Sequence, residues 1–471
     1  MKTPWKWSCM LLALAMTSPG TIGAAEEMTA AVPTEAWPAS ESALTVTPLP
    51  LIDAATLSES ADALGIPGEG IRLDEAITPI ASYFQQAGTG GGGAGNPKLP
   101  TINISGVAQM DAIWFSQDAA NMAVVGDAQD VAGFRRARIG ANGNLADNVA
   151  YRMEYDFGFP GRPNFTDVWF DVADLPMVGN LRVGQWKQPF SMEPATSFRE
   201  TMFMERSLAF ALVPFRQIGA GVYDTLLDES ATYAVSAYRF PTDAFGNAAG
   251  DEGYGMSTRE TMLLWSNECG DTLHVGASYT FNESATDTIR IRSTPEVGFT
   301  QLDFNNSTNF PIPFFVDTGV LPIANYQVVG AELAGGVGSW LYQSEMMCAM
   351  VNQQGAPFLQ LPGGYAQLGY VLTGERRSYN RKAAAYGRVV PDVPFGEGGP
   401  GAWEVCGRYS VLDLNDANIA GGRLQDLTFG LNWYLNKFTR FEFNYIRPIL
   451  DRPVGNQTEA DVFGTRAQFD F

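Results

Sequence analysis

From Thr101 to Phe471 the chain is built of segments of about ten residues in which apolar and polar side chains alternate, with clusters of turn residues between them. Successive side chains of a strand point to opposite faces, so strict alternation marks a strand with a different environment on each side. Leu427, Phe429, Leu431 and Trp433 alternate with Thr428, Gly430, Asn432 and Tyr434, and Leu273, Val275, Ala277 and Tyr279 with His274, Gly276, Ser278 and Thr280. The last segment sets Phe463, Thr465, Ala467, Phe469 and Phe471 against Gly464, Arg466, Gln468 and Asp470. A soluble sandwich shows this pattern in one or two strands. A long series, each member long enough to cross a hydrocarbon layer when tilted, specifies an all-β, transmembrane antiparallel barrel of the outer-membrane type. Lipid satisfies no backbone hydrogen bond, so such a sheet must close on itself.

Sixteen segments fit: 101–115, 130–144, 148–159, 164–173, 179–187, 216–224, 230–240, 258–267, 272–282, 325–334, 338–350, 364–374, 401–413, 424–435, 438–447 and 459–471. Short connections near Asp147, Met177, Asp228, Glu268, Gly336 and Lys437 alternate with longer ones at 116–129, 188–215, 241–257, 283–324, 351–363, 414–423 and 448–458. Short periplasmic turns and longer outer loops are the expected asymmetry. Segment 375–400 breaks it, being long where parity requires a periplasmic turn. Either two strands are misplaced there or the segment is a periplasmic extension.

Residues 1–25 combine Lys2 and Lys6, an apolar run from Met10 to Met16 and small residues Gly23, Ala24 and Ala25, the pattern of a cleaved secretory signal. Residues 26–100 are rich in Ala, Pro, Ser, Thr and Glu and read as a flexible periplasmic linker, with a short helix over 74–86. Its closing Gly88–Gly95 cluster lacks the Gly-Lys-Ser/Thr ending of a phosphate-cradling loop. After the signal, Cys269, Cys348 and Cys406 are too scattered for a disulfide framework or a metal cluster, and neither metal nor cofactor is expected.

The formal charge of −21 excludes a nucleic-acid partner. The basic residues are nonetheless lopsided, 24 Arg to six Lys, and Arg is the side chain that binds oxyanions in a fork. In Phe134-Arg135-Arg136-Ala137-Arg138-Ile139-Gly140, alternation puts Arg136 and Arg138 on one face, about 7 Å apart along the strand. They pair with Glu154 and Asp156 of the next segment, or form a cationic track for anions, or do both. Arg152, Arg182, Arg408 and Arg466 are placed inward by the same rule, as are Asp111, Asp167, Asp171, Glu345, Glu404 and Glu442, so the wall is mixed in sign. The 28-residue connection 188–215 carries apolar anchors among its charges. A loop of that kind packs, either against the lumen wall as a constriction or as a cap on the outer surface. Lys187, Glu193, Arg199, Glu205, Arg206 and Arg216 are the candidate constriction residues. The single histidine, His274, lies on a polar face, and no Gly-x-Ser-x-Gly elbow is present; a structural role is favoured over catalysis.

The runs Phe134–Arg138, Gly184–Glu193, Phe203-Met204-Glu205-Arg206-Ser207-Leu208, Leu372-Thr373-Gly374-Glu375, Gly401–Val405 with Arg408-Tyr409-Ser410, and Asn432-Trp433-Tyr434 together resemble the phosphate-selective porin O and P family over about residues 101–471. The resemblance implies a sixteen-stranded homotrimer with an anion pathway lined by arginines and narrowed by inward-folded loops. The acidic balance and the scarcity of Lys depart from the strongly phosphate-selective members. The alternating Phe469 and terminal Phe471 resemble the signal read by barrel-insertion machinery.

The expected function is an outer-membrane diffusion channel, without enzymatic activity, for small hydrophilic solutes, anion-preferring with phosphate as the example. The alternatives are a non-selective or cation-preferring channel, favoured by the lumen carboxylates, and a structural barrel whose linker ties the outer membrane to the cell wall.

Overall fold

The computed structural model describes residues 99–158, 163–298, 312–452 and 457–471. The signal sequence, nearly all of the linker and the helix expected over 74–86 lie outside them. Sixteen long strands form one antiparallel sheet: β1 Asn103–Gln117, β2 Val131–Ala146, β3 Val149–Asp156, β4 Asn164–Leu175, β5 Gly179–Lys187, β6 Arg216–Leu226, β7 Ala231–Arg239, β8 Tyr254–Ser266, β9 Thr272–Asn282, β10 Leu321–Val337, β11 Trp340–Gln353, β12 Leu359–Val371, β13 Ala402–Asp416, β14 Ile419–Tyr434, β15 Thr439–Asp451 and β16 Thr458–Asp470. Each pairs with its neighbour in sequence, and β1 pairs with β16 from Val107 opposite Asp470 to Gln117 opposite Ala460, which closes the barrel. At the seam Phe471 exchanges both backbone hydrogen bonds with Gly106.

The period-2 pattern sorts side chains as the two environments require. Phe134, Ile139, Phe170, Phe429, Phe463 and Phe469 are exposed on the outside, whereas their strand neighbours Arg136, Asp171, Thr428 and Gln468 are buried inside. Trp403 and Trp433 stack at 5.1 Å near the end with the short turns, with Phe395 edge-on to Trp433 at 5.0 Å. Such amphipathic rings mark a membrane–water interface.

The sorting fails in one region. At the end with the longer loops, inward positions of β10–β15 are apolar: Ile323, Val328, Ala349, Val351, Leu359, Leu361, Leu412, Leu414, Leu424 and Leu450 form one buried cluster with Phe190, Leu208, Leu212, Phe315 and Val316 from the connections. Inward apolar residues are stable because loops fold onto them and exclude water. The strands extend accordingly. The connection expected at 414–423 shrinks to residues 417–418, and that at 351–363 to residues 354–358.

Segment 372–401 is the long turn at the periplasmic end that broke the loop alternation. All sixteen strands hold their places without it, so it is a periplasmic extension, and it turns into the lumen. Arg259 on β8 donates to the carbonyls of Ala383 and Ala384. Arg388 donates to Asp470 on β16, on the opposite side of the sixteen-strand ring. A chain tied to both walls spans the mouth between them.

Candidate functional site: a charged lumen narrowed by inward segments

Three connections meet inside the barrel. The first, residues 188–215, leaves β5 with Phe190 and Met192 fully buried. The Met192 and Glu193 amides donate to the Glu345 carboxylate on β11, and the Ser191 amide to Ser278 on β9. The loop then runs to β13–β16, where its carbonyls become acceptors. Arg440 donates to Phe198 and Thr201, Gln468 to Arg199, Asn432 to Met202, Arg466 to Met204 and Arg408 to Glu205. Inward glycines make room for it. A Cβ at Gly369 would lie 2.6 Å from Met202 Sδ, one at Gly430 3.3 Å from the Phe203 ring, and one at Gly464 3.1 Å from Met204 Sδ.

The second segment is 372–401. The Arg377 guanidinium forks onto Glu404 at 2.8 Å and also donates to the Tyr434 hydroxyl and the Glu200 carbonyl, joining this segment to the first loop. His274 is wholly buried, with Nδ1 2.8 Å from the Tyr379 hydroxyl and Nε2 3.2 Å from Glu332, which Arg259 holds by both of its oxygens. Its position ties the segment to the wall. The third connection, between β9 and β10, contributes Glu296, whose carboxylate accepts from Arg408, Ser410 and Thr428.

The candidate arginines fall into this lattice. Arg138 lies 2.7 Å from Asp156 and 3.2 Å from Glu154, and Arg152 reaches Glu154 at 2.5 Å. Arg136 meets neither of those two carboxylates at bonding distance; it donates to Gln109 and to Glu205 of the first loop. Arg182 pairs with Asp171 and stacks 3.8 Å above Trp169. Arg408 pairs with Glu296, and Arg466, fully buried, forks onto Asp111 at 2.7 Å and reaches Glu205 at 2.8 Å. Arg136, Arg138 and Arg199 surround the Phe198 ring at 4.9, 4.5 and 5.2 Å from its centroid.

Two of the constriction candidates sit at the base of the loop. Lys187 is the last residue of β5 and Arg216 the first of β6, because their backbones pair with each other across the base of the loop. Lys187 Nζ donates to the Pro194 carbonyl, and Arg216 pairs with Asp167 at 3.0 Å. Glu193, Arg199, Glu205 and Arg206 do lie in the loop. Glu193 accepts from Ser207, Arg199 sits 3.5 Å from Glu154, and Arg206 donates to the Glu193 and Thr196 carbonyls.

Alternation missed Arg135. The β1–β2 register jumps from Gln109 opposite Arg136 to Met110 opposite Phe134, leaving Arg135 as the extra residue of a β-bulge. The bulge brings consecutive arginines to one carboxylate. Arg135 lies 2.9 Å from Glu205 and Arg136 3.0 Å. Glu296 and Arg377 were also missed, since they lie in connections where no period indicates direction. Seven guanidiniums, of Arg135, Arg136, Arg138, Arg152, Arg199, Arg440 and Arg466, meet five carboxylates, of Asp111, Glu154, Asp156, Glu205 and Glu442, on the β1–β3 and β15–β16 side. A small cavity lies beside them between the first loop and segment 372–401, lined among others by Glu193, Glu200, Glu205, Arg377 and Arg408.

The loop carboxyls differ in acidity. Burial alone would raise Glu205, but Arg135, Arg136 and Arg466 outweigh it and hold the group well below the usual carboxylate range. Burial pushes Glu200 up despite Arg388 and Arg377, and pushes Glu193 up despite Arg408 and the Ser207 hydrogen bonds. Arg206 is lowered by burial to about 10, against the pull of Glu193 and Glu205.

A closed antiparallel barrel with an apolar exterior and loops folded into a charged lumen is the architecture of an outer-membrane porin. The chain belongs to the phosphate-selective porin O and P family, whose model matches residues 109–471. Over 375 residues it is 25% identical to Porin O of Pseudomonas aeruginosa, a match spanning 74% of this chain and 83% of that protein. It is 27% identical over 351 residues to a protein of Caulobacter vibrioides, covering 72% of this chain and 68% of that one. Among solved structures, the anion-selective porin from Comamonas acidovorans aligns over 79% of this chain and 99% of its own, with a TM-score of 0.49 and 10% identity. The protein is thus a channel of the outer membrane.

Two predictions follow from the packing and the acidities. Gly369→Leu with Gly464→Leu fills the sockets of Met202 and Met204 at an overpacking cost of about 1–3 kcal/mol each and displaces the loop, raising single-channel conductance; unchanged conductance would show that the loop does not limit the pore. Acidification from neutral pH protonates Glu200 and Glu193 before Glu205, because burial weakens their acidity while the arginines keep Glu205 charged. The lumen then becomes more positive and the anion-to-cation permeability ratio rises, and Glu200→Gln flattens that rise.

Proposed function

We propose that the protein is an anion-preferring diffusion channel that admits small oxyanions such as phosphate. The observation that carries this is the excess of guanidinium over carboxylate, seven to five, on the β1–β3 and β15–β16 side of the constriction. Screening in physiological salt extends over about 8 Å, so the acidic outer loops contribute little field there and the local imbalance governs. Arg199 adds charge: its terminal nitrogen lies 3.5 Å from Glu154, an ion-pair distance without a hydrogen bond. A permeating anion exchanges part of its hydration shell for guanidinium groups that reach the pore, with no covalent chemistry.

The name of the family supports the same preference. A homotrimeric assembly and recognition of the Phe469 and Phe471 end by insertion machinery accompany this reading.

Non-selective or cation-preferring conduction is the second reading, favoured by the pairing of most lumen arginines with carboxylates. The zero-current potential of wild-type channels across a potassium chloride gradient separates the two. The anion sign is expected, and Arg136→Ala with Arg138→Ala moves the potential toward zero. A cation sign in wild type would establish the second reading.

A further inference from the structure

We infer that Glu205 is a tethered internal anion that fills an oxyanion site made by Arg135, Arg136 and Arg466, and that it thereby limits how tightly the channel holds a passing solute. The inference deepens the anion-preferring reading and rests on it.

The Glu205 carboxylate is saturated in the manner of a bound oxyanion. Oε1 accepts from Arg135 Nε at 2.9 Å, Arg136 at 3.1 Å and Arg466 at 2.8 Å, and Oε2 from Arg135 at 3.2 Å and Arg136 at 3.0 Å. Two guanidiniums therefore present forks to the same pair of oxygens, the geometry that favours carboxylate and phosphate. The bulge at Arg135 brings both forks to one point. The other carboxylates of this cluster, Asp111, Glu154, Asp156 and Glu442, belong to strands. Glu205 alone arrives on a loop, and it faces the cavity that Arg377 and Arg408 also line.

The loop does not depend on this side chain for its place. Its carbonyls at Phe198, Arg199, Thr201, Met202, Met204 and Glu205 all accept hydrogen bonds from the barrel wall. Removing the Glu205 charge accordingly leaves three neighbouring guanidiniums without their shared counter-ion, on a backbone still held. An inorganic phosphate ion supplies two oxygens to the forks and projects the others toward the cavity. With Glu205 in place, the solute must compete with a carboxylate whose local concentration never falls, so it is held weakly and passes on.

Planar-bilayer recordings of chloride current with added inorganic phosphate test this on wild type, Glu205→Gln, and Glu205→Gln with Arg135→Gln. In Glu205→Gln the half-blocking phosphate concentration is expected to fall on the order of tenfold or more, as for a new charge-assisted site; Arg135→Gln in that background restores resistance. Equal block in wild type and Glu205→Gln, with an anion-preferring wild type, overturns this inference alone. So does a variant whose potassium and chloride conductances rise together without block, because Glu205 would then be a structural anchor of the loop. A cation-preferring wild type overturns the underlying anion reading instead.

Discussion

Pairing between guanidinium and carboxylate inside the barrel is the interaction on which the rest of this structure depends. A sixteen-stranded barrel is wide enough to leave its centre empty, and loops of polar backbone placed there need partners. Arginines of β8, β13, β15 and β16 supply them by donating to loop carbonyls, while their remaining donors meet carboxylates of the wall or, for Arg408, Glu296 of the third connection. Each buried pair is costly to assemble, and breaking one by removing a partner costs about 3–5 kcal/mol. The lattice is therefore worth most as a device for position: it holds three segments across a lumen that has too little apolar surface at its periplasmic end to hold them by packing.

The two ends of the lumen solve the same problem with different chemistry. Near the outer loops, Phe190, Leu208, Leu212, Phe315 and Val316 bury themselves against inward leucines and valines. Toward the periplasm, Arg259 of β8 donates to carbonyls of segment 372–401, and the segment's own Arg377 and Arg388 reach the wall carboxylates Glu404 and Asp470. Met192, Met202 and Phe203 of the first loop meet Ala385 and Tyr386 of that segment between the two zones. The predominance of Arg over Lys follows from this arrangement, because one guanidinium can serve a carboxylate and a carbonyl together, as Arg377 does with Glu404 and Glu200.

Much of the fold was legible in the sequence because a membrane imposes a two-sided pattern on every strand. All sixteen segments from Thr101 to Phe471 emerge as strands, and inward Arg408 and Arg466 follow from counting by twos. Where the period breaks, the sequence is silent. The bulge that turns Arg135 inward has no local signal, since bulging depends on the register of β1. Inward Leu412 and Leu424 contradict the rule that the lumen face is polar, and only contact with Phe315 and Val316 explains them. Segment 372–401 broke the parity of the loops, and that break was the visible trace of a chain folded into the pore. Glu296 and Arg377 could be found only once the connections carrying them had a direction.

The account requires the inward segments to be fixed in place by the wall. Hydrogen–deuterium exchange of the protein in lipid, followed at the amides of Met192, Glu193 and Ser207 and across 377–388, measures this directly. Protection comparable to that of β13 and β14 is predicted, since those three amides donate to buried carboxylates of Glu345 and Glu193. Exchange as fast as in the outer connection 354–358 would contradict it and leave the lumen without the lattice that shapes its field.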